Sequence, residues 1–244
     1  MTVMLKRKNI PSEERLIVAL DVDTPEEARA LVLRLGVSVH FYKLGLQLCM
    51  TEGYFPLLGW LIEQKKQVFA DLKFHDIPRT VAAAVENVSR RGASLATIHA
   101  GQSAMVEAAA EAAKGTGLKL LDVTVLTSMM EADFADVGYK GTVAELAARR
   151  AKDAVAHGAD GIVCSGLEAG ALRKILGQTP LIVTPGIRAS GVAAGDQKRV
   201  ADVHTALAGS ADYLVIGRPI LDAPDPARAA AAMQEEIARA VIGD

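Results

Sequence analysis

Short runs of apolar, β-branched residues alternate with alanine-rich amphipathic stretches along the whole chain. The apolar runs predict strands at 16–21, 39–43, 68–73, 95–99, 120–126, 161–165, 181–184 and 213–217. Their hydrophobicity is nearly continuous rather than alternating, as expected of parallel strands covered on both faces. Helix signals fall between them. Thr24-Pro25-Glu26-Glu27 supplies an N-cap, a proline at the first helical position and a capping-box glutamate. Thr142-Val143-Ala144-Glu145 repeats the capping pattern before a helix reaching position 157. Further helices fit 79–91, 103–114, 168–176, 204–208 and 226–241, with a less regular one at 53–64.

Three junctions resemble one another: Gly92-Ala93-Ser94-Leu95, Gly158-Ala159-Asp160-Gly161 and Gly209-Ser210-Ala211-Asp212-Tyr213. Each places a glycine where a helix should stop, then a polar residue, then an apolar strand. Repeated βα units with eight strands predict an α/β fold, a closed (β/α)8 TIM barrel, rather than an open doubly wound sheet. The glycine fingerprint of a dinucleotide fold is missing after the first strand, which ends Ala19-Leu20-Asp21. No linker-like stretch divides the chain. Residues 1–14 therefore read as an N-terminal extension and 15–244 as one barrel domain. Two long connections, 127–141 and 186–199, follow strand C-termini, the face where barrel active sites lie and where moving loops are expected.

Composition narrows the function. The 244 residues are 50% hydrophobic, enough for one large core, and a net charge of -2 argues against a nucleic-acid surface. Lys6-Arg7-Lys8 reads as a solvated tail; no apolar run follows to make it a signal peptide. Nothing approaches the length of an apolar membrane span, so no membrane partner is expected. Cys49 and Cys164 have neither zinc spacing nor scaffold density, which points to a reducing cytoplasm.

The candidate chemistry lies at the strand ends. In Asp71-Leu72-Lys73-Phe74-His75-Asp76-Ile77-Pro78-Arg79-Thr80 three charged groups fall within six residues. Residues two apart on a strand share a face, so Asp71 and Lys73 should point the same way. Lys43 ends an earlier strand; if the two strands are neighbours, Lys43, Asp71, Lys73 and Asp76 alternate in charge within one small site. Asp21 ends the first strand, His99 the fourth, and Thr127 and Ser128 follow the fifth. Strand seven leads into Gly186-Ile187-Arg188 and strand eight into Gly217-Arg218. Glycine permits close approach of backbone N–H groups to phosphate, and these two loops commonly hold phosphate in barrels. Arg218 could add a bidentate contact, and the small residues of 189–197 suggest a flap from which Gln197 closes on the phosphate. The five histidines are scattered and no metal site is expected. His75 and His99 fit packing or hydrogen-bonding roles as well as chemical ones.

The pattern Asp71-x-Lys73-x-x-Asp76-Ile77-Pro78-x-Thr80 resembles the signature of the orotidine 5'-phosphate decarboxylase family. The resemblance runs from residue 15 to residue 239 and includes Lys43-Leu44-Gly45, Val125-Leu126-Thr127-Ser128, Thr184-Pro185-Gly186-Ile187-Arg188, Gly195-Asp196-Gln197 and Ile216-Gly217-Arg218-Pro219. It implies a homodimeric (β/α)8 barrel that decarboxylates orotidine 5'-phosphate to UMP without metal or organic cofactor. By position, Lys73 would protonate C6, Asp71 would face the substrate carboxylate, and Asp76 would reach across from the partner subunit. Lys43 would complete the charge network; Asp21 and Thr80 would lie around the ribose, Thr80 with Asp76 at the interface. Ser128 and Thr127 would address the pyrimidine, and Gln197, Gly217, Arg218 and Arg188 the phosphate.

Such chemistry leaves an electron pair in an sp² orbital at C6, outside the ring π system, so stabilisation must come from the surroundings. A lysine ammonium held there by two carboxylates would oppose the developing charge and then supply the proton. Two other readings fit parts of the pattern. A related barrel lyase or epimerase acting on a sugar phosphate would use Mg²⁺, but would carry another acidic ligand near the end of strand two, where this chain has Lys43. A non-catalytic phosphate-ligand binder would be expected to have lost the lysine or a carboxylate.

Overall fold

The strands form a closed parallel barrel in chain order, β1 pairing with β8, as expected from the sequence. They are β1 Leu16–Ala19, β2 Phe41–Gly45, β3 Gln67–Phe74, β4 Leu95–His99, β5 Lys119–Val123, β6 Gly161–Val163, β7 Leu181–Thr184 and β8 Tyr213–Ile216. The computed structural model describes residues 8–188, 199 and 201–242. Helices fill the connections: α1 Pro25–Leu35, α2 Leu46–Cys49, α3 Tyr54–Glu63, α4 Pro78–Arg90, α5 Ser103–Ala113, α6 Val143–Ala156, α7 Ala169–Leu176, α8 Val203–Ala208, α9 Arg218–Leu221 and α10 Pro226–Ile242.

The continuous strand hydrophobicity now has a spatial meaning. Odd-numbered residues, among them Ile17, Phe41, Phe69, Leu95, Leu121, Val163, Val183 and Val215, form one cluster inside the barrel. Even-numbered residues of the same strands, such as Val18, Tyr42, Val68 and Ile182, pack outward with apolar helix faces. Both faces of each strand are therefore buried, which leaves little room for polar alternation. The same register carries Lys43, Asp71 and Thr97 inward, each two residues beyond an interior apolar side chain of its strand.

Caps and turns follow local chemistry. Thr142 and Glu145 form the reciprocal capping box. Thr24 caps α1 by accepting from the Glu27 N–H, whereas the Glu27 carboxylate reaches back to the Asp23 N–H instead of that of Thr24. Of the three similar junctions, two use a left-handed glycine, Gly92 and Gly158. At the third, Ser210 takes the left-handed conformation (φ 61°). Gly209 has φ -72°, and a Cβ there would come within 3.0 Å of the Gly170 nitrogen. The glycine is required for close helix packing, not for the turn.

Lys8 departs from the solvated tail expected of it. Its ammonium lies 2.8 Å from the Asp212 carboxylate, which also receives Arg173 at 2.7 Å. Arg15 donates to the Lys8 and Asp212 carbonyls, both at 3.0 Å. This ion cluster sits beside the N-terminal ends of β7 and β8.

Candidate active site

Several strand ends differ from the sequence reading in ways that shape the site. β1 stops at Ala19, which leaves Asp21 on the following loop, while β2 continues to Gly45 and puts Lys43 in mid-strand. β5 stops at Val123, so Thr127 and Ser128 lie on the loop beyond it. Gly217 precedes the short helix α9, of which Arg218 is the first residue. The 127–141 connection contains the 3-10 segment Glu131–Val137.

The mouth of the barrel holds a cavity of about 300 Å³. Asp21, Lys43, Asp71 and Lys73 line one side, and Thr127 and Ser128 another. Gly186, Arg188, Gly217 and Arg218 complete the rim above an apolar floor that includes Phe69, Val123 and Val163. Most of the residues expected from the sequence thus meet at one place. Asp76 and Thr80 do not line this cavity; both are exposed, on the loop and helix following β3. Gln197 and the expected flap at 189–197 lie outside the described residues.

The charge chain is continuous. Lys73 Nζ donates to Asp71 Oδ1 at 2.8 Å; Lys43 Nζ is 3.5 Å from Asp71 Oδ2 and 2.9 Å from Asp21 Oδ1. Burial alone would push the Asp71 carboxyl up, but the Lys43 and Lys73 ammoniums override it and hold the group below the usual carboxylate range. Burial would likewise lower Lys43, and Asp71 and Asp21 together raise it above the ordinary lysine value. Two mutually supporting ions at a buried strand end tolerate a desolvation that neither could bear alone. Among the described residues Asp71 is the carboxylate paired with the Lys73 ammonium; Asp76, expected as the second, accepts instead from its own neighbour, the Ile77 N–H, at 2.6 Å.

Strand alternation does not by itself bring Asp71 and Lys73 together. Between Ala70 and Phe74 the β3–β4 register shifts: four steps along β3 match two along β4, Ala96 to Ile98. The extra residues form a bulge in which Lys73 has φ 50°, a left-handed conformation uncommon for a side-chain-bearing residue. Thr97 stabilises it. Its hydroxyl accepts the Lys73 N–H at 2.9 Å and donates to Asp71 Oδ1 at 3.0 Å. Thr97 is fully buried and was missed in the sequence, where a threonine in a strand reads as an ordinary β-former. Its register opposite the bulge, available only from the structure, marks it.

His75 and His99 lie beside each other, outside the cavity lining, with the His75 ring nitrogen 3.3 Å from the His99 carbonyl. Burial lowers the His99 pKa. Among the described residues no three His, Cys, Asp or Glu side chains come together as a metal site, and no helix is long and apolar enough to cross a membrane.

The cavity joins a lysine–carboxylate chain to a glycine and arginine rim suited to phosphate. Known proteins match the chain over nearly its whole length. The model of the orotidine 5'-phosphate decarboxylase / HUMPS family matches residues 14–233. A Rhodopseudomonas palustris protein named orotidine 5'-phosphate decarboxylase is 52% identical over 232 residues, covering 95% of this chain and 97% of the relative. One from Methylococcus capsulatus with the same name is 48% identical over 238 residues, covering 97% of each. Among solved structures, orotidine 5'-phosphate decarboxylase from Lactobacillus acidophilus superposes with a TM-score of 0.81 at 34% identity, covering 92% of this chain and 99% of that one.

Proposed function

The chain belongs to the orotidine 5'-phosphate decarboxylase / HUMPS family, and from that premise we propose how it acts. It is a carboxy-lyase that converts orotidine 5'-phosphate to UMP and CO2, the last step of de novo pyrimidine biosynthesis. Lys73 is the acid. The bond between C6 and the carboxyl carbon breaks, CO2 leaves, and the electron pair stays at C6. Lys73 Nζ then gives C6 its proton and is later reprotonated by water. No metal or organic cofactor takes part.

The observation that carries this reading is the ordering of charge at the cavity, Asp21–Lys43–Asp71–Lys73 in unbroken contact. Asp71 fixes the Lys73 ammonium where carbanion charge develops, so its field is in place before the bond breaks. Asp71 also faces the substrate carboxylate, which favours its departure. Lys43 keeps Asp71 ionised, Asp21 orients Lys43, and Asp21 also reaches the ribose. Thr127 and Ser128 meet the pyrimidine, while Gly217, Arg218, Arg188 and Gln197 take the phosphate. Binding at that remote group supplies energy that organises the reacting centre.

The protein works as a cytoplasmic homodimer whose barrel domain spans 15–244. Helix α2 with the residue after it, and the loop after the neighbouring β3, expose Leu46, Met50 and Ile77 at 53%, 78% and 66%. Asp76 and Thr80 are near Ile77 in the chain, exposed and outside the lining of their own cavity. A second copy seated on that apolar patch would bury it and receive both residues in its ribose and C6 region. Asp76 thereby becomes the second carboxylate flanking Lys73 of the partner.

The test is loss of orotidine 5'-phosphate absorbance in the ultraviolet, with UMP identified as product. Wild-type protein turns over equally with and without chelator, and Lys73→Ala loses nearly all turnover while still binding UMP. Wild-type rates in Lys73→Ala would overturn the donor assignment, and loss of activity with chelator the cofactor-free mechanism.

A further inference from the structure

Arg199 touches none of the residues assigned to proton transfer and does not line the cavity, yet it is only 9% exposed and both terminal nitrogens of its guanidinium are bonded. Its guanidinium donates to the carbonyls of Val125 at 3.1 Å and Leu126 at 3.0 Å, and its backbone N–H donates to the Thr127 carbonyl at 3.3 Å. The other guanidinium nitrogen is paired with Glu168. Ser165 completes the arrangement by donating its hydroxyl to the Arg199 carbonyl at 3.2 Å and its N–H to Glu168 at 3.3 Å.

Three consecutive carbonyls, those of residues 125, 126 and 127, are thus held by one residue. β5 ends at Val123, beyond which the Thr124 N–H makes the last ladder-like bond, to Val163. Past that point the backbone has left the sheet, and its buried carbonyls need partners from elsewhere. The side chains of this same stretch, with Ser128 just after it, form the wall of the cavity assigned above to the pyrimidine.

We propose that Arg199, oriented by Glu168, is a positioning residue that fixes the pyrimidine-facing wall after β5 and so sets recognition of the base. The proposal rests on the reading of Thr127 and Ser128 as base contacts. A planar guanidinium can serve two carbonyls and a carboxylate at once; an ammonium at that position keeps the charge but not the fork. Because Glu168 neutralises it, Arg199 adds little net charge near the phosphate rim, which separates its role from those of Arg188 and Arg218.

The experiment compares Arg199→Lys, Glu168→Gln and Arg218→Ala with wild type. It measures KM and kcat for orotidine 5'-phosphate, and the dissociation constants of UMP and of ribose 5-phosphate, which has no base. For Arg199→Lys, kcat/KM should fall at least about tenfold and UMP binding should weaken similarly, with ribose 5-phosphate held within about twofold. Glu168→Gln retains an acceptor and should show the same pattern at smaller size. Arg218→Ala should weaken both ligands, which calibrates the phosphate arm. Equal weakening of UMP and ribose 5-phosphate in Arg199→Lys would overturn the proposal, as would wild-type kinetics. If Arg199→Lys fails to fold, Glu168→Gln decides on the same criterion. A wild-type protein that binds UMP without turning over orotidine 5'-phosphate would instead refute the proposed function; base recognition by this wall would still be judged from the two binding constants.

Discussion

Asp71 serves several partners at once. It accepts from Lys73 and Thr97 through one oxygen and faces Lys43 with the other. A carboxylate satisfied in this way stays ionised despite burial. Asp122 is the opposite case. It sits on the outward face of β5 at 2% exposure, and its Oδ1 makes no hydrogen bond. Burial, reinforced by Asp153 and opposed by Arg150, pushes its carboxyl up to about 8. A carboxyl raised in the folded state favours folding most fully below its unfolded value of 3.8, and that benefit is lost as pH rises through about 8. Asp122→Asn should therefore raise stability at pH 9 by on the order of a few kcal/mol and change it little at pH 4. Thermal melts across that range decide it; an equal shift at both pH values would exclude titration of Asp122 as the cause.

The β3 bulge shows what sequence periodicity can and cannot convey about elements. Lys43, Asp71 and Lys73 were legible because charges interrupting apolar strands are conspicuous, and the strands were legible because each is a short, nearly unbroken apolar run. The register shift was not. Nothing local to Ala70-Asp71-Leu72-Lys73 announces that β3 carries two residues more than the facing part of β4, since register depends on both strands. Arg199 escaped for a similar reason: its carbonyl partners are more than seventy residues away in sequence. The short α2 and α9 were also missed, as four-residue helices are too brief to show a 3.6 period. Thr97→Val tests the bulge directly. It keeps shape but removes the hydroxyl that holds Lys73 and Asp71 together, leaving a buried N–H without its acceptor at a cost of roughly 1–3 kcal/mol. We expect kcat to fall about tenfold or more with KM little changed. A variant with wild-type kcat would show that the bulge holds its shape without Thr97.

At the scale of the molecule, the proposal that Asp76 completes the partner's site makes the dimer a functional unit that can be tested. Inactive Lys73→Ala and Asp76→Ala proteins, mixed and allowed to exchange subunits, should regain roughly a quarter of wild-type activity, because each mixed dimer rebuilds one of its two sites. No regain despite demonstrated exchange would place Asp76 in its own chain's site.

The filled interior has a directional consequence. Below the charged array the barrel is filled with apolar side chains. Among the described residues the cavity lies above that filling, at the C-terminal mouth. Nucleotide enters, and carbon dioxide departs, through the same aperture on the C-terminal side, so whatever narrows that opening during turnover governs the escape of the gas as well as the grip on the nucleotide.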